Sequence, residues 1–276
     1  MMNCTNVLWR VTLGAGAVIF LLGTSAVQPA QAQETVLYSL ANIRSPVAPV
    51  IADSSGNLYG TAAGGGAYGH GAVFELVNSS GSYTAKVLYS FAGPPNDGAN
   101  PQGIIADSAG NLYGLTEVGG ASSNCPGGCG MAFELINNAG TYAERVLYSF
   151  GASSGDGEVP SAGLVMDAAG NLYGTTGAGG ASSNCTYGCG AVFELVNSSG
   201  GYTEKLLYSF VGGSDGSFPF GSLIMDSTGN LYGTTEVGGL LSGGPCSSWS
   251  TLPGAIRRKC SIALRDLPAT AEARRV

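Results

Sequence analysis

Histidine is almost absent from this 276-residue chain: His70 stands alone, which excludes a multi-histidine metal centre and leaves a Ser-His-Asp triad only one imidazole to use. Charge is scarce as well. Charged residues make up 11%, and 11 Lys and Arg against 18 Asp and Glu give a formal net charge of -7, which excludes a protein that grips nucleic acid by its phosphates. Beyond the amino end no apolar run is long enough to cross a bilayer as a helix. The 46 glycines follow no Gly-x-y period, which excludes collagen, and 44% apolar content with 13 Tyr excludes a disordered polymer. What remains is a chain that folds, mostly as β-structure.

The one long apolar run, Val11 to Val27, follows Arg10 and precedes Gln28, Pro29 and the small-residue triplet Ala30, Gln31, Ala32. This pattern predicts a signal peptide over residues 1–32, cleaved after Ala32; a retained amino-terminal anchor is the alternative. Export would place the mature chain, secreted or at the cell surface, where disulfides persist, so its cysteines read first as staples.

The block GNLYG recurs at Gly56, Gly110, Gly170 and Gly229, with spacings of 54, 60 and 59. Leu-Tyr-Ser at Leu37, Leu88, Leu147 and Leu207, and Phe-Glu-Leu at Phe74, Phe133 and Phe193, keep the same phase, so this is an internal repeat. In the third copy the strands are expected at Gly163–Asp167, Asn171–Thr176, Gly190–Val196 and Tyr202–Phe210. The first of them, apolar throughout, is expected to be buried on both faces. In the last, Leu206, Tyr208 and Phe210 should share one face. Between the first two strands, an Asp that bonds nearby amides and a Gly at positive φ predict a tight turn; the residues are Asp53, Gly56 and Asn57, Asp107, Gly110 and Asn111, Asp167, Gly170 and Asn171, and Asp226, Gly229 and Asn230. Four antiparallel strands repeated at this period read as an all-β, β-propeller-like array of blades over residues 33–239. A lone fourth-type strand at Val36–Leu40 could complete the last blade.

The succession Asp-x-x-Gly-Asn-Leu-Tyr-Gly-Thr-Thr, Gly-Gly, Gly-x-Val-Phe-Glu-Leu, Leu-Tyr-Ser-Phe resembles the GloVer tandem repeat of exported bacterial choice-of-anchor proteins, over about residues 36–239. The resemblance implies a secreted or surface-attached β-propeller-like protein and brings no established activity, so no catalytic residue is carried over. The first unit departs from the pattern by lacking the Asp-Gly step of Asp97, Asp156 and Asp215, and the end shows no recognisable anchor.

From Leu240 the pattern stops. Residues 33–239 hold four basic against sixteen acidic residues, or -12, whereas residues 240–276 carry +4. Codons exist for Ala255–Leu264 that read NTEKVLYSF two bases later, close to the third copy's own fourth strand. We read this as a frameshift between Gly239 and Gly243, which leaves the fourth blade its first two strands, Leu223–Asp226 and Asn230–Thr235, and makes residues 240–276 an aberrant, disordered tail. A basic surface tail for an acidic partner is the alternative.

Cys125 with Cys129 and Cys185 with Cys189 lie in equivalent loops between second and third strands and are expected to form two local disulfides; a four-thiolate zinc site is the alternative. The recurring Asp series reads as turn capping in preference to calcium binding, and the series Glu75, Glu134 and Glu194 as structural, because a catalytic pair needs unlike environments. His70 reads as an exposed loop residue. Tyr59, Tyr113, Tyr173 and Tyr232 read as packing over neighbouring glycines in preference to a sugar-stacking platform. Together these predict a noncatalytic extracellular binding or scaffold module for a glycan or cell-envelope component, with no cofactor, no metal, no nucleic-acid partner and no transmembrane anchor in the mature chain. The alternatives are a propeller-fold lyase or glycoside hydrolase, and a nonfunctional truncation of a longer protein.

Overall fold

The computed structural model describes residues 9–13, 17–21, 42–199 and 201–238. The chain divides into two compact units, Met1–Leu37 and Tyr38–Val276. In the first, Trp9–Leu13 (β1) pairs antiparallel with Ala17–Leu21 (β2). The rest of the expected leader, the lone strand at Val36–Leu40 and the tail from Leu240 lie outside the described residues.

The second unit is built from antiparallel sheets, one per sequence repeat. Sheet I runs Ile43–Pro46 (β3) and Ile51–Ala52 (β4), both beside Leu58–Gly65 (β5), then Ala72–Ser79 (β6) and Ser82–Ser90 (β7). Sheet II is Gly98–Ala106 (β8), Leu112–Gly119 (β9), Met131–Asn138 (β10) and Thr141–Ser149 (β11). Sheet III sets Gly157–Pro160 (β12) and Val165–Met166 (β13) beside Leu172–Gly179 (β14), followed by Ala191–Ser198 (β15) and Gly201–Ser209 (β16). Sheet IV holds two strands, Ile224–Met225 (β17) and Leu231–Tyr232 (β18). The one helical element among the described residues is a 3-10 turn at Gly213–Asp215.

Two expectations about the strands need correction. The apolar run at Gly163–Met166 yields only the two-residue strand β13, half-buried on both residues. Most of the pairing along this edge of β14 comes instead from β12, a Gly-Glu-Val-Pro segment with no apolar run, in which the residue before the proline takes a positive φ. The same kink recurs at Ser45, Asn100, Val159 and Phe218, with φ of 55, 54, 56 and 58°. For branched Val159 and bulky Phe218 this is a strained conformation, fixed by the N–H of each bonding to the carbonyl of Cys129 or Cys189, at 2.9 Å in both cases. The alternation expected in the fourth strand also fails. Register shifts between Val192 and Phe193, so Val192 faces Tyr208 while Phe193 faces Leu206. The bulge leaves Leu206 exposed and turns Leu207 into the core beside Tyr208 and Phe210. Equivalent bulges fall at Val73/Phe74 and Ala132/Phe133.

The core lies between successive sheets. Val73 and Phe91 of the first repeat pack with Ile104, Leu112, Met131, Phe133 and Leu135 of the second. Leu115, Ala132 and Phe150 then meet Leu164, Leu172, Phe193 and Leu195 of the third, and Val192 and Phe210 meet Leu223 and Leu231 of the fourth. Phenylalanines join the sheets in edge or tilted contact, Phe91 to Phe133 at 5.1 Å and Phe150 to Phe193 at 4.9 Å between centroids. Beneath each third-strand phenylalanine lies a glycine. A Cβ at Gly114 or Gly174 would stand 2.6 Å from the ring, which is why no larger residue follows the repeated tyrosine.

Candidate functional site

The densest polar constellation is the repeated turn. Asp167 accepts from the backbone N–H of Ala169 and Asn171 through Oδ1, both at 2.9 Å, and from the Asn171 amide (2.8 Å) and the Tyr173 hydroxyl (3.1 Å) through Oδ2. Asp53, Asp107 and Asp226 hold the same partners in their own copies. Gly56, Gly110, Gly170 and Gly229 sit at φ of 77, 81, 81 and 86°, the left-handed region that a Cβ would strain. Asn57, Asn111 and Asn171 accept from the N–H of Asn78, Asn137 and Asn197, tying each turn to the end of the third strand. Burial pushes the carboxyls of Asp107 and Asp167 up, but hydrogen bonds from the asparagine, the tyrosine and the backbone outweigh it and hold both below the usual carboxylate range.

The tyrosine connects this turn to a glutamate. Tyr113 Oη lies 3.1 Å from Asp107 and 3.0 Å from Glu134, and Tyr173 Oη lies 3.1 Å from Asp167 and 3.0 Å from Glu194. Arg145 pairs with the buried Glu134, and Lys205 with the buried Glu194 at 3.5 Å. Burial first, then the glutamate, raises the phenols of Tyr113 and Tyr173 well above the ordinary tyrosine value. The tyrosines thus work by their hydroxyls and face away from the adjoining glycines; the ring over each glycine belongs to the phenylalanine, correcting the expectation of tyrosine-on-glycine packing. Alternation across the strand requires it, since successive residues point to opposite faces.

A second repeated cluster lies where units adjoin. Tyr89 donates to Asp97 at 3.0 Å, Tyr148 to Asp156 at 2.8 Å and Tyr208 to Asp215 at 2.5 Å. The same aspartates accept from the chain where it leaves the fourth strand, at Ala92, Ala152 and Val211. The first unit, which lacks the Asp-Gly step, places Asn42 in this position: its carbonyl accepts from Gly66 as that of Asp156 does from Gly180. Glu144 and Glu204 belong to this cluster and went unnoticed in the sequence, since Ala85 stands there in the first unit. Burial, and then the charge of Asp97 or Asp156, pushes each up to about 7.

The loops between second and third strands carry the disulfides Cys125–Cys129 and Cys185–Cys189, with Cα atoms 5.1 and 5.2 Å apart. Although Glu158 lies within 4.8 Å of both Cys125 and Cys129, the sulfurs are bonded to each other and offer no thiolate, so the zinc alternative fails at both pairs. His70 occupies the place of the second cysteine: its carbonyl accepts from Asn100 N–H as those of Cys129 and Cys189 accept from Val159 and Phe218. It is exposed. In these same loops stand the two most exposed tyrosines among the described residues, Tyr68 at 64% and Tyr187 at 77%, equivalent positions that the strand-centred repeat pattern overlooks. The shared Tyr-Gly-x-Gly step, Tyr68 to Gly71 and Tyr187 to Gly190, is the signal that could have found them.

Fold and site together define an all-β tandem-repeat protein whose polar residues recur from sheet to sheet. The chain belongs to the Gloeobacter/Verrucomicrobia repeat family, whose model matches residues 45–250. No curated protein matches it. Among solved structures it is similar to a gluconolactonase from Xanthomonas campestris, at 13% identity and a TM-score of 0.43, over 68% of this chain and 55% of that one. It is also similar, at the same identity and TM-score, to PorZ, a bacterial surface component of the type-IX secretion system of Porphyromonas gingivalis, over 83% of this chain and 30% of that one. The chain therefore spans about half of the first and less than a third of the second.

Proposed function

We propose that this protein is an exported, noncatalytic repeat scaffold, its sheets arranged as blades around a common axis, that binds an extracellular glycan or cell-envelope component through its second-to-third-strand loops. The observation that carries this reading is the engagement of the turn carboxylates: Asp53, Asp107, Asp167 and Asp226 are each held by their own turn, and Glu134 and Glu194 each by a tyrosine and a cation. Acid–base work on a substrate calls for carboxylates in unlike surroundings, and repetition gives the four turn aspartates like ones. Blade-like fanning is supported by the close approach of equivalent segments from successive units: a Cβ on Gly103 would lie 3.3 Å from Gly163 Cα and 3.6 Å from Ala48 Cβ, and Gly163 N–H donates to the Ser222 hydroxyl at 2.9 Å. Export is supported by the leader-like amino end and by the two disulfides, which persist in oxidising compartments.

Tyr68 and Tyr187 are the stacking surfaces of this reading, because an exposed phenol ring offers an apolar face to a sugar ring and a hydroxyl to its edge. Glycan-array binding by the secreted protein tests it. Binding that falls when Tyr68 and Tyr187 are changed together to Ala supports it; binding unchanged in that variant, or turnover of polysaccharides from a pooled panel, overturns it.

A further inference from the structure

Phe74, Phe133 and Phe193 each enter over a glycine of the second strand, in one register: Gly60 faces Phe74, Gly114 faces Phe133 and Gly174 faces Phe193. A Cβ at those glycines would come within 2.7, 2.6 and 2.6 Å of the ring. The phenylalanine ending the previous fourth strand closes on the same ring, as Phe91 does on Phe133 and Phe150 on Phe193. In the fourth unit both halves of this seat are present. Gly233 follows Tyr232 as Gly174 follows Tyr173, yet among the described residues a Cβ there would meet only Leu223 Cδ2, at 2.8 Å. Phe210 contacts its own Tyr208 at 5.1 Å, and no ring of a following sheet reaches it among the described residues. Between Phe210 and Gly233 lies a shallow, open-sided groove, walled by Val192, Pro219, Leu223 and Thr235. Sheet IV has two strands among the described residues where sheets I to III have third and fourth ones.

We infer that this groove seats a third strand of the repeat donated by another polypeptide: an extended Gly-x-Val-Phe-Glu-Leu segment whose phenylalanine enters over Gly233 against Phe210. Its main chain would run beside Gly233–Thr235 as β15 runs beside Gly174–Thr176. Strand addition of this kind takes its affinity from main-chain hydrogen bonds and its selectivity from a side-chain pocket, and here the pocket has the shape and the aromatic partner of three occupied examples in the same molecule. The chain's own three Phe-Glu-Leu segments are committed to sheets I to III. The inference holds wherever the protein acts and whatever its loops bind.

The test titrates the full chain into a fluorescent synthetic hairpin with the sequence of residues 190–210, read by anisotropy, with hydrogen exchange followed at Leu231–Thr235. The expected result is saturable 1:1 binding and slowed exchange at those amides. Changing the hairpin's Phe-Glu-Leu phenylalanine, Phe193 in the parent sequence, to alanine should weaken binding about tenfold or more, the loss of one buried aromatic ring. Gly233→Ala places a methyl group in the seat, where only the movable tip of Leu223 must give way, and should weaken the parent hairpin to a similar degree while the thermal melt stays put. No saturation by about 1 mM, well above the affinity of a specific strand complex, overturns the proposal. So does equal binding of the alanine hairpin. Slow exchange at Gly233–Thr235 in the free protein, with no hairpin bound, would give the seat to the chain's own residues and also overturn it.

Discussion

In the third unit Phe193 lies over Gly174 and against Phe150, and Tyr173, Leu172 and Leu195 are fully enclosed between sheets. In the fourth, Asp226 closes its turn with the same hydrogen bonds, Leu231 is buried, but Ile224 is 66% exposed and Phe210 has no aromatic partner ahead of it among the described residues. The turn is therefore a local object, complete within a few residues. The core is not. It exists only between two sheets, so each unit acquires its burial from the next, the behaviour of repeat proteins whose stability is a sum of unit and interface terms.

Phe133→Ala should give the largest effect, since it empties a ring seat enclosed on both sides: about 3–5 kcal/mol, read by urea titration. Phe210→Ala should cost clearly less, and equal losses would break the comparison between a closed and an open interface. Each disulfide closes a short loop, which in the chain-entropy model is worth about 2 kcal/mol. Thermal melts with and without reductant check this, and a variant with all four of Cys125, Cys129, Cys185 and Cys189 changed to Ser should ignore the reductant. Asp167→Ala removes a charged acceptor from four hydrogen bonds and should cost about 1.5–3 kcal/mol in the same titration. Its effect should stay local, with hydrogen exchange quickened around Ala169–Asn171 and unchanged in sheet I.

The smallest effect is the dependence on pH, which separates the two polar clusters. Glu144 and Glu204, pushed up to about 7 in the folded chain from 4.5, bind more protons folded than unfolded across that window. Their contribution is full below pH 4.5 and is lost as pH rises through 7. Asp107 and Asp167, held below their ordinary value, act in the opposite sense: their contribution is present above about pH 4 and is lost as pH falls further. Stability measured across pH should thus peak in mild acid. Glu144→Gln with Glu204→Gln should flatten the neutral side by about 1 kcal/mol per site, allowing for partial solvent screening. A profile that still falls between pH 5 and 8 in the double variant would locate the effect elsewhere.

Much of this was legible from the repeat. Period-two alternation and the Asp-x-x-Gly-Asn block are short-range signals, and they place β5, β9, β14 and the turns before them. The bulge at Val192/Phe193 was not legible, because it arises where a nine-residue strand must match an eight-residue one, and its consequence, Leu207 inward and Leu206 outward, reverses the simple pattern. Nor was β12, whose Gly-Glu-Val-Pro sequence is an unpromising strand and forms because β14 offers it an edge. Loop residues Tyr68 and Tyr187 were missed because repeat reading weights what every copy shares, and the second copy has Gly127 there.

The sequence alone determined the class of fold, the repeat and its turns, the family and the cysteine pairs, all of which depend on residues near one another along the chain. Only the tertiary structure decided that the phenylalanine, not the tyrosine, covers the glycine, that Glu144 and Glu204 feel the aspartates of the preceding linkers, and that Gly233 meets no aromatic ring among the described residues. Those features arise between strands and between sheets, where distances are set by packing and not by spacing along the chain.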